Sequence, residues 1–278
     1  MKILGFILSA FCAYLPAARS QETFKGKVVE AKTGNGLAFV NVGIVNGDAG
    51  TVTDVNGEFS LVPNAGIKDT DSLKFSMIGY KGRVFSVGQF RTTLKDGPFV
   101  VSLEEEATQL NAVVVSAKER KTKILGNKTE SKKFSGGFGS KDLGSQIGIR
   151  IHVGKKDVFL DKFNFFVAYN TFDSLTFRVN IYKMEDGKPT ENLLHDNVII
   201  RLGKETGKQS VDLDKYNIVA DNDFLIALEW LDKRGPANGI FNISASLLSS
   251  STYICKTSQA GWSVKKGIGL GLNVTARE

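Results

Sequence analysis

The chain has 278 residues, of which 42% are hydrophobic and 23% are charged, and its formal net charge is +7. This composition excludes an intrinsically disordered protein, and the length suits two modest domains or one large β domain. Glycine is frequent (29 residues) and proline is scarce (5 residues). Because short runs rich in Val, Ile, Phe and Thr also recur, the composition predicts an all-β fold.

Residues 1–20 have the pattern of an export signal. A positive residue at the start is followed by an apolar stretch over 3–15, and small residues precede a cleavage site predicted between Ser20 and Gln21. The apolar stretch is shorter than the roughly 20 residues that span a membrane as a helix. The sequence therefore predicts an exported protein that is periplasmic, associated with the outer membrane, or extracellular.

Alternation of apolar and polar residues predicts seven short strands in the N-terminal half, with turn residues between them. The predicted strands are 23–31, 39–46, 50–54, 57–63, 72–80, 82–88 and 99–105. This number favours a sandwich of antiparallel sheets. The polar run DVNGE (54–58) does not have the ligand spacing of a helix-loop-helix calcium loop, so we expect a hairpin turn, with a weak cation site as the alternative.

The N-terminal sequence also resembles a known family. GKVVEAKTGNGLAFVNVGIVNGDAGTVTDVNGEFSL, followed by LKFSMIGYK, is similar to the carboxypeptidase regulatory-like domain. The resemblance implies a seven-stranded transthyretin-like sandwich with an exit strand over residues 21–117, and it implies no peptidase activity. Residues 100–120 resemble the segment that follows this domain in TonB-dependent receptors of the Gram-negative outer membrane. The remaining chain is too short for a plug and a barrel, so no receptor activity is expected.

Residues 118–145 are predicted to be a linker. Residues 118–133 contain seven basic and two acidic residues, and Gly and Ser are frequent over 135–145. Such a composition favours a solvated connector. The alternative is electrostatic docking on lipid headgroups or another acidic surface, which would be a peripheral membrane contact. Nucleic acid is not an expected partner, because no aromatic platform accompanies the basic residues. The docking lysines would be Lys121, Lys123, Lys132 and Lys133.

Residues 146–278 are predicted to form a second β-sandwich. The eight expected strands are 147–153, 157–170, 174–183, 197–202, 223–231, 239–247, 251–257 and 267–274. This number favours a jelly-roll-like sandwich, similar to the C-terminal part of envelope proteins that pair it with a regulatory-like domain. In the strand 174–183, strict alternation predicts one apolar face in the core and one polar face.

Catalytic motifs are missing from the sequence. His152 and His195 do not have the close paired spacing of a zinc peptidase, and there is no Gly-x-Ser-x-Gly elbow. Cys255 lies in an apolar run and is predicted to be a thiol that faces the core. The sequence therefore predicts no catalytic residue, no metal site and no cofactor.

Two aromatic residues are the candidates for ligand binding. Trp262 and Tyr253 lie near predicted turns, where aromatic rings beside amide side chains can hold a sugar ring or a protein loop. The alternative for Trp262 is that it caps the core. The sequence favours an exported, non-enzymatic module that binds a protein or glycan partner in the cell envelope. The alternative is a hydrolase of glycans or peptides that uses carboxylates of the C-terminal domain.

Overall fold

The structure is a computed structural model in which residues 22–94, 99–106, 121–138, 143–154 and 157–278 are described. Within these residues the chain is nearly all β and forms two sandwich domains, which confirms the predicted fold class. The predicted export signal, its cleavage site at Ser20 and Gln21, and the predicted exit strand beyond residue 106 lie outside the described residues. In the described part of the chain, no helix is both long and apolar enough to cross a membrane.

The N-terminal domain is a sandwich of two sheets. Its strands are β1 (Phe24–Glu30), β2 (Asn41–Ile44), β3 (Gly50–Val52), β4 (Glu58–Leu61), β5 (Ser72–Ser76), β6 (Arg83–Ser86) and β7 (Phe99–Leu103). One sheet has the strand order β4-β1-β7 and the other has the order β3-β2-β5-β6. All neighbours are antiparallel except β1 and β7. Each strand lies within the range that the alternation predicts.

A short helix, α1 (Val87–Leu94), lies between β6 and β7 and was not predicted. Val87 and Phe90 are fully buried, and the Phe90 ring lies 4.4 Å from the ring of Phe99, centroid to centroid. A capping box starts the helix, because the Ser86 hydroxyl accepts the N–H of Gln89 and the Gln89 side chain accepts the N–H of Ser86. The helix therefore closes one end of the N-terminal core.

The polar run 54–58 forms a turn, but it is not a hairpin between paired strands. It leads from β3 in one sheet to β4 in the other. The Asp54 carboxylate accepts the backbone N–H groups of Asn56 (2.9 Å) and Glu58 (2.8 Å). The acidic and amide residues of this run thus shape a crossing between the two sheets.

The C-terminal domain is a larger sandwich. In the described residues its strands are β8 (Thr122–Gly126), β9 (Ser135–Phe138), β10 (Gln146–Ile151), β11 (Val158–Asn170), β12 (Ser174–Glu185), β13 (Lys188–Asn192), β14 (Val198–Leu202), β15 (Gly207–Asp212), β16 (Val219–Ala220), β17 (Phe224–Arg234), β18 (Phe241–Leu247), β19 (Thr252–Cys255), β20 (Trp262–Lys265), β21 (Ile268–Leu270) and β22 (Leu272–Arg277). One sheet has the order β13-β12-β17-β10-β19-β20, with β14 also paired to β12. The other has the order β21-β18-β11-β22-β8, with β15 and β16 paired to β11 and β9 paired to β18.

The core of the C-terminal domain lies between these two sheets and is rich in aromatic rings. Trp230 is fully buried, and its ring lies 5.1 Å from Phe138, 5.3 Å from Phe172 and 5.9 Å from Phe177, centroid to centroid. Edge-to-face and tilted pairs of this kind add packing energy beyond the burial of apolar area. The sheet that contains β12 and β17 is therefore held firmly from its core side.

The predicted linker, residues 118–145, contains two strands of the C-terminal domain. β8 pairs with β22 at the edge of one sheet, and β9 pairs with β18. Lys123 of β8 is compatible with a strand because an edge strand has one solvated side. At Gly137, an added Cβ would lie 1.9 Å from the carbonyl oxygen of Phe241, so this glycine permits close strand packing. The Lys, Gly and Ser content of residues 118–145, which predicted a flexible linker, is therefore that of edge strands.

Candidate functional site

The two domains are joined by hydrogen bonds between β2 and β5 on one side and the segment after β19 on the other. The Ser258 hydroxyl donates to the Asn41 side chain (2.8 Å), and the Gln259 side chain donates to the hydroxyl of Ser76 (2.7 Å). Ser258 is almost completely buried although it lies in a loop. The domains therefore pack closely along this line.

Gly43 permits this close approach and provides a first prediction. A Cβ at this position would lie 2.1 Å from the carbonyl oxygen of Ser258. Gly43→Ala should therefore push the domains apart and lower the free energy of unfolding by about 1 to 3 kcal/mol, as overpacking does. Urea unfolding measures the change. Gly261→Ala is the matched control, since a Cβ at Gly261 has no atom within 4 Å. Equal stability of the two variants would contradict the proposed contact.

A cleft of about 830 Å³ opens between the domains. This volume lies within the range of sites that bind small molecules. The N-terminal domain contributes Asn41, Val45, Asn46, Lys74, Ser76, Met77, Ile78, Gly79, Tyr80 and Glu106 to its lining. The C-terminal domain contributes Gln146, Arg178, Asn180, Tyr182, Thr190, Glu191, Asn192, Leu194, His195, Cys255, Gln259, Ala260 and Trp262. Amide and hydroxyl groups predominate, so the cleft is suited to a polar ligand.

One row of side chains crosses five strands beneath this cleft. Arg178 on β12 lies opposite Glu229 on β17, which lies opposite Gln146 on β10. Gln146 lies opposite Cys255 on β19, and Cys255 lies opposite Trp262 on β20. Residues opposite each other in antiparallel strands project to the same face of the sheet. The sheet therefore presents all five side chains toward the N-terminal domain.

Hydrogen bonds connect this row to the neighbouring polar side chains. Asn180 donates to Glu229 (2.8 Å) and to the side-chain oxygen of Gln146 (3.1 Å). The Tyr182 hydroxyl donates to the same Gln146 oxygen (2.9 Å), and Asn192 donates to Asn180 (2.9 Å). Burial, and next the negative charge of Glu229, raise the pKa of Tyr182, which stays a neutral hydroxyl at physiological pH. The network fixes the amide groups at the floor of the cleft.

A buried ion pair lies at the start of the row. Arg178 is 1% exposed and Glu229 is 0% exposed, and Arg178 Nε lies 3.7 Å from Glu229 Oε2. Arg178 also donates to the carbonyl oxygen of Phe39 in the N-terminal domain. Among the described protein atoms, Arg178 Nε and Glu229 Oε1 have no hydrogen-bond partner. The pair therefore connects the domains and retains unused hydrogen-bonding capacity.

Of the two predicted binding aromatics, only Trp262 lines the cleft. It is partly exposed, and its ring lies 5.6 Å from the ring of Tyr182, at an angle of 71°. Tyr253, in contrast, is only 7% exposed and is not among the lining residues. Tyr253 lies two residues before Cys255 on β19 and pairs with Val264, so it is displaced along the strand from the row that ends in Trp262.

The four lysines predicted to dock electrostatically lie outside the cleft. The backbones of Lys121 and Glu278 are hydrogen-bonded to each other, and the ammonium group of Lys123 lies 2.5 Å from the Glu278 carboxylate. Lys132 and Lys133 are exposed in the segment before β9. Lys121 and Lys123 lie beside β22, and Lys132 and Lys133 precede the strand that pairs with β18, so all four belong to the C-terminal domain rather than to a separate connector.

Sequence reasoning missed most of the polar residues of this site. A signal was available at Glu229, which interrupts the apolar run LIALEWL, because a carboxylate in a buried strand requires a partner. His152 pairs with Asp223 at 2.7 Å, and His195 lies on the exposed rim of the cleft. In the part of the chain that the structure describes, no group of three His, Cys, Asp or Glu side chains could hold a metal ion.

Cys255 provides a second prediction. Burial, and next the charge of Glu229, raise the pKa of its thiol to about 11. At pH 8 such a thiol is only about 0.1% thiolate, and the thiolate is the reactive form. We expect iodoacetamide to modify native Cys255 roughly a hundredfold more slowly than the urea-unfolded chain, as read by peptide mass spectrometry. If native Cys255 reacts as fast as Cys255 in the unfolded chain, its thiol is not buried with a raised pKa.

The fold and the cleft define a two-domain β-sandwich protein with a polar site between its domains. Residues 24–115 match the family model of the CarboxypepD_reg-like domain, so the N-terminal domain is a domain of this family, as its sequence indicated. None of the curated proteins compared with the chain matched it.

Three solved structures show weak similarity. One contains the cysteine protease and lectin-like domains of Cwp84, a surface layer associated protein of Clostridium difficile, with a TM-score of 0.42 and 8% identity over 86% of this chain and 58% of that chain. Another is infectious bursal disease virus Gt strain, with a TM-score of 0.31 and 12% identity over 92% of this chain and 62% of that chain. The third is the T13 particle of the same virus, with a TM-score of 0.26 and 10% identity over 92% and 60%. The chain thus spans about 60% of the length of these three chains.

Proposed function

We propose that this protein is an exported, non-enzymatic module of the cell envelope that binds a glycan in the cleft between its domains. The observation that carries the proposal is the row of side chains that ends in Trp262 beside a network of fixed amides. A sugar ring offers an apolar C–H face to an aromatic side chain and pairs of hydroxyl groups to amides. The cleft supplies both types of contact within one volume.

The polarity of the cleft favours a glycan over an apolar ligand. Its floor contains Gln146, Asn180 and Asn192, which provide donors and acceptors whose positions are fixed by mutual hydrogen bonds. Such preorganised groups bind a polar ligand without a further cost of ordering side chains. A protein loop rich in amides and hydroxyls is the other partner that these contacts could accept.

The second candidate is a glycan hydrolase, and the cleft supports it less well. Hydrolysis by two carboxyl groups needs one of them protonated to act as the acid. Glu191, on the rim, forms an ion pair with Lys183 at 2.6 Å, and this hydrogen bond lowers the pKa of Glu191. Glu229 is completely buried, accepts a hydrogen bond from Asn180 and lies 3.7 Å from Arg178. Glu191 and Glu229 are thus each engaged by neighbouring side chains.

The proposed location follows from the N-terminal sequence. The pattern of residues 1–20 is that of an export signal, and residues 100–120 resemble the segment that follows this domain in TonB-dependent receptors of the Gram-negative outer membrane. Surface labelling of intact cells, compared with labelling after the outer membrane is opened, would distinguish a periplasmic from a surface location.

A glycan array followed by product analysis tests the proposed function. The purified protein is expected to retain a subset of glycans, and each retained glycan should be recovered with unchanged mass after prolonged incubation. Recovery of shortened glycans would support the hydrolase instead. Retention of no glycan, together with capture of an envelope protein that competes at the cleft, would overturn the glycan proposal in favour of a protein partner.

A further inference from the structure

Two leucines are exposed at the far end of β18. Leu247 is 52% exposed and Leu248 is 94% exposed. Leu247 pairs with Ile268 of β21, so the segment that follows β18 lies beside the turn that joins β20 to β21. That turn carries Lys265 and Lys266, both exposed. We call this surface, made of Leu247, Leu248, Lys265 and Lys266, the leucine-lysine tip.

The tip holds its leucines in a defined position. Leu248 has a φ of 57°, in the left-handed region that a bulky side chain seldom adopts. Its N–H donates to the carbonyl oxygen of Gly267 at 2.7 Å, which fixes the segment to the neighbouring turn. Asn or Gly would adopt this backbone with less strain. An apolar side chain in solvent on a strained backbone contributes nothing to the core, which indicates a role outside the folded domain.

The segment of the chain that forms the tip carries only positive charge, whereas Glu130 follows Lys128 by two residues. Residues 233–277 contain four Lys and two Arg but no Asp or Glu. Beside the tip, Lys128 and the serines that follow Leu248 line a small cavity of about 300 Å³. Arg150 and His152, which also line it, both pair with Asp223.

Three cations are therefore available to a partner. In the described parts of the chain, Lys128, Lys265 and Lys266 form no ion pair with a carboxylate. Two protruding leucines flanked by such cations match one kind of surface, a bilayer with negatively charged headgroups. Apolar side chains enter its interfacial layer while lysines bind its phosphates, and both effects are needed because each alone is weak.

We propose that the leucine-lysine tip docks the protein on an anionic phospholipid membrane, with Leu247 and Leu248 inserted below the phosphates and Lys128, Lys265 and Lys266 in contact with them. The four lysines that the sequence suggested for docking are a different set. Docking leaves the cleft accessible, because Trp262 and Lys265 lie at opposite ends of β20, about 10 Å apart along the strand. The protein would thus bind a ligand near the membrane surface.

Sedimentation with vesicles tests the proposal. The purified protein should bind vesicles of phosphatidylcholine and phosphatidylglycerol and should not bind vesicles of phosphatidylcholine alone. Leu248→Asn should weaken binding about tenfold, since it removes one inserted leucine, and Asn suits the backbone at this position. The double variant Lys265→Ser/Lys266→Ser should weaken binding about fivefold for each lysine.

Val84→Ser is the matched control, because Val84 is 56% exposed on the N-terminal domain. This variant should bind like the unmodified protein. All variants share the apolar segment 3–15, so differences in binding among them do not come from that segment. Equal binding to both types of vesicle, or full binding by Leu248→Asn, would overturn the proposal. So would release by inorganic phosphate at constant ionic strength, which would indicate recognition of free phosphate. The vesicles contain no glycan, so the outcome is independent of ligand binding in the cleft.

Discussion

Arg178→Ala should lower the free energy of unfolding by about 3 to 5 kcal/mol, which is the usual cost of removing one member of a buried ion pair. The substitution leaves the Glu229 carboxylate completely buried and without its cation. It also removes the hydrogen bond from Arg178 to the Phe39 carbonyl group, a direct connection between the domains. Urea unfolding at pH 7, followed by circular dichroism, measures the effect.

Two further variants make this prediction specific. Arg201→Ala removes an exposed arginine from β14, which also pairs with β12, and should change stability by less than about 0.5 kcal/mol. The double variant Arg178→Met/Glu229→Leu should be more stable than Arg178→Ala, because two apolar side chains of similar size leave no unpaired charge. If Arg178→Ala unfolds like Arg201→Ala, the buried pair does not have the role that its geometry indicates.

Strand positions in this protein could be predicted from local patterns, whereas the helix and the added strands could not. The alternation places all seven N-terminal strands correctly, and it is clearest in β4, β5 and β7, where buried residues alternate with more exposed ones. Helix α1 has only eight residues, too few for a clear helical period. Its signal was the capping box of Ser86 and Gln89, three residues apart, which the sequence shows.

The residues of the candidate site show what strand alternation alone cannot predict. Alternation correctly separates Phe177 and Val179 from Arg178 and Asn180 on the two faces of β12. It predicts a polar face but not that the N-terminal domain covers this face, which leaves Arg178 and Asn180 almost completely buried. Burial by a partner domain depends on contacts between distant parts of the chain. A polar strand face is therefore compatible with solvent and with a buried polar network.

The predicted linker was misread for a related reason. Lysine-rich and glycine-rich segments favour solvated conformations when considered alone. In the folded protein, β8 and β9 gain backbone hydrogen bonds to β22 and β18, while Lys132 and Lys133, which precede β9, remain exposed. Edge strands have this composition because charged side chains there discourage pairing with other molecules. Composition thus described the surface of these strands correctly and their structure incorrectly.

Trp262→Ala should reduce the affinity for the glycan bound in the cleft by about 10- to 100-fold, since an aromatic ring at a binding hot spot contributes roughly 1.5 to 3 kcal/mol. The ring is partly exposed at the edge of the sheet, so the variant should stay folded. Isothermal titration with a glycan retained on the array measures the affinity, and thermal unfolding verifies the fold.

Two matched variants separate stacking from other effects of Trp262. Trp262→Phe keeps an aromatic face and should retain most of the affinity. Tyr253→Phe alters the other aromatic residue that the sequence suggested. Because Tyr253 is buried and does not line the cleft, this variant should bind the glycan with unchanged affinity. Full affinity in folded Trp262→Ala would exclude stacking on this ring. A loss in Tyr253→Phe equal to that in Trp262→Ala would place the ligand outside the cleft, because, of these two aromatic residues, only Trp262 lines the cleft.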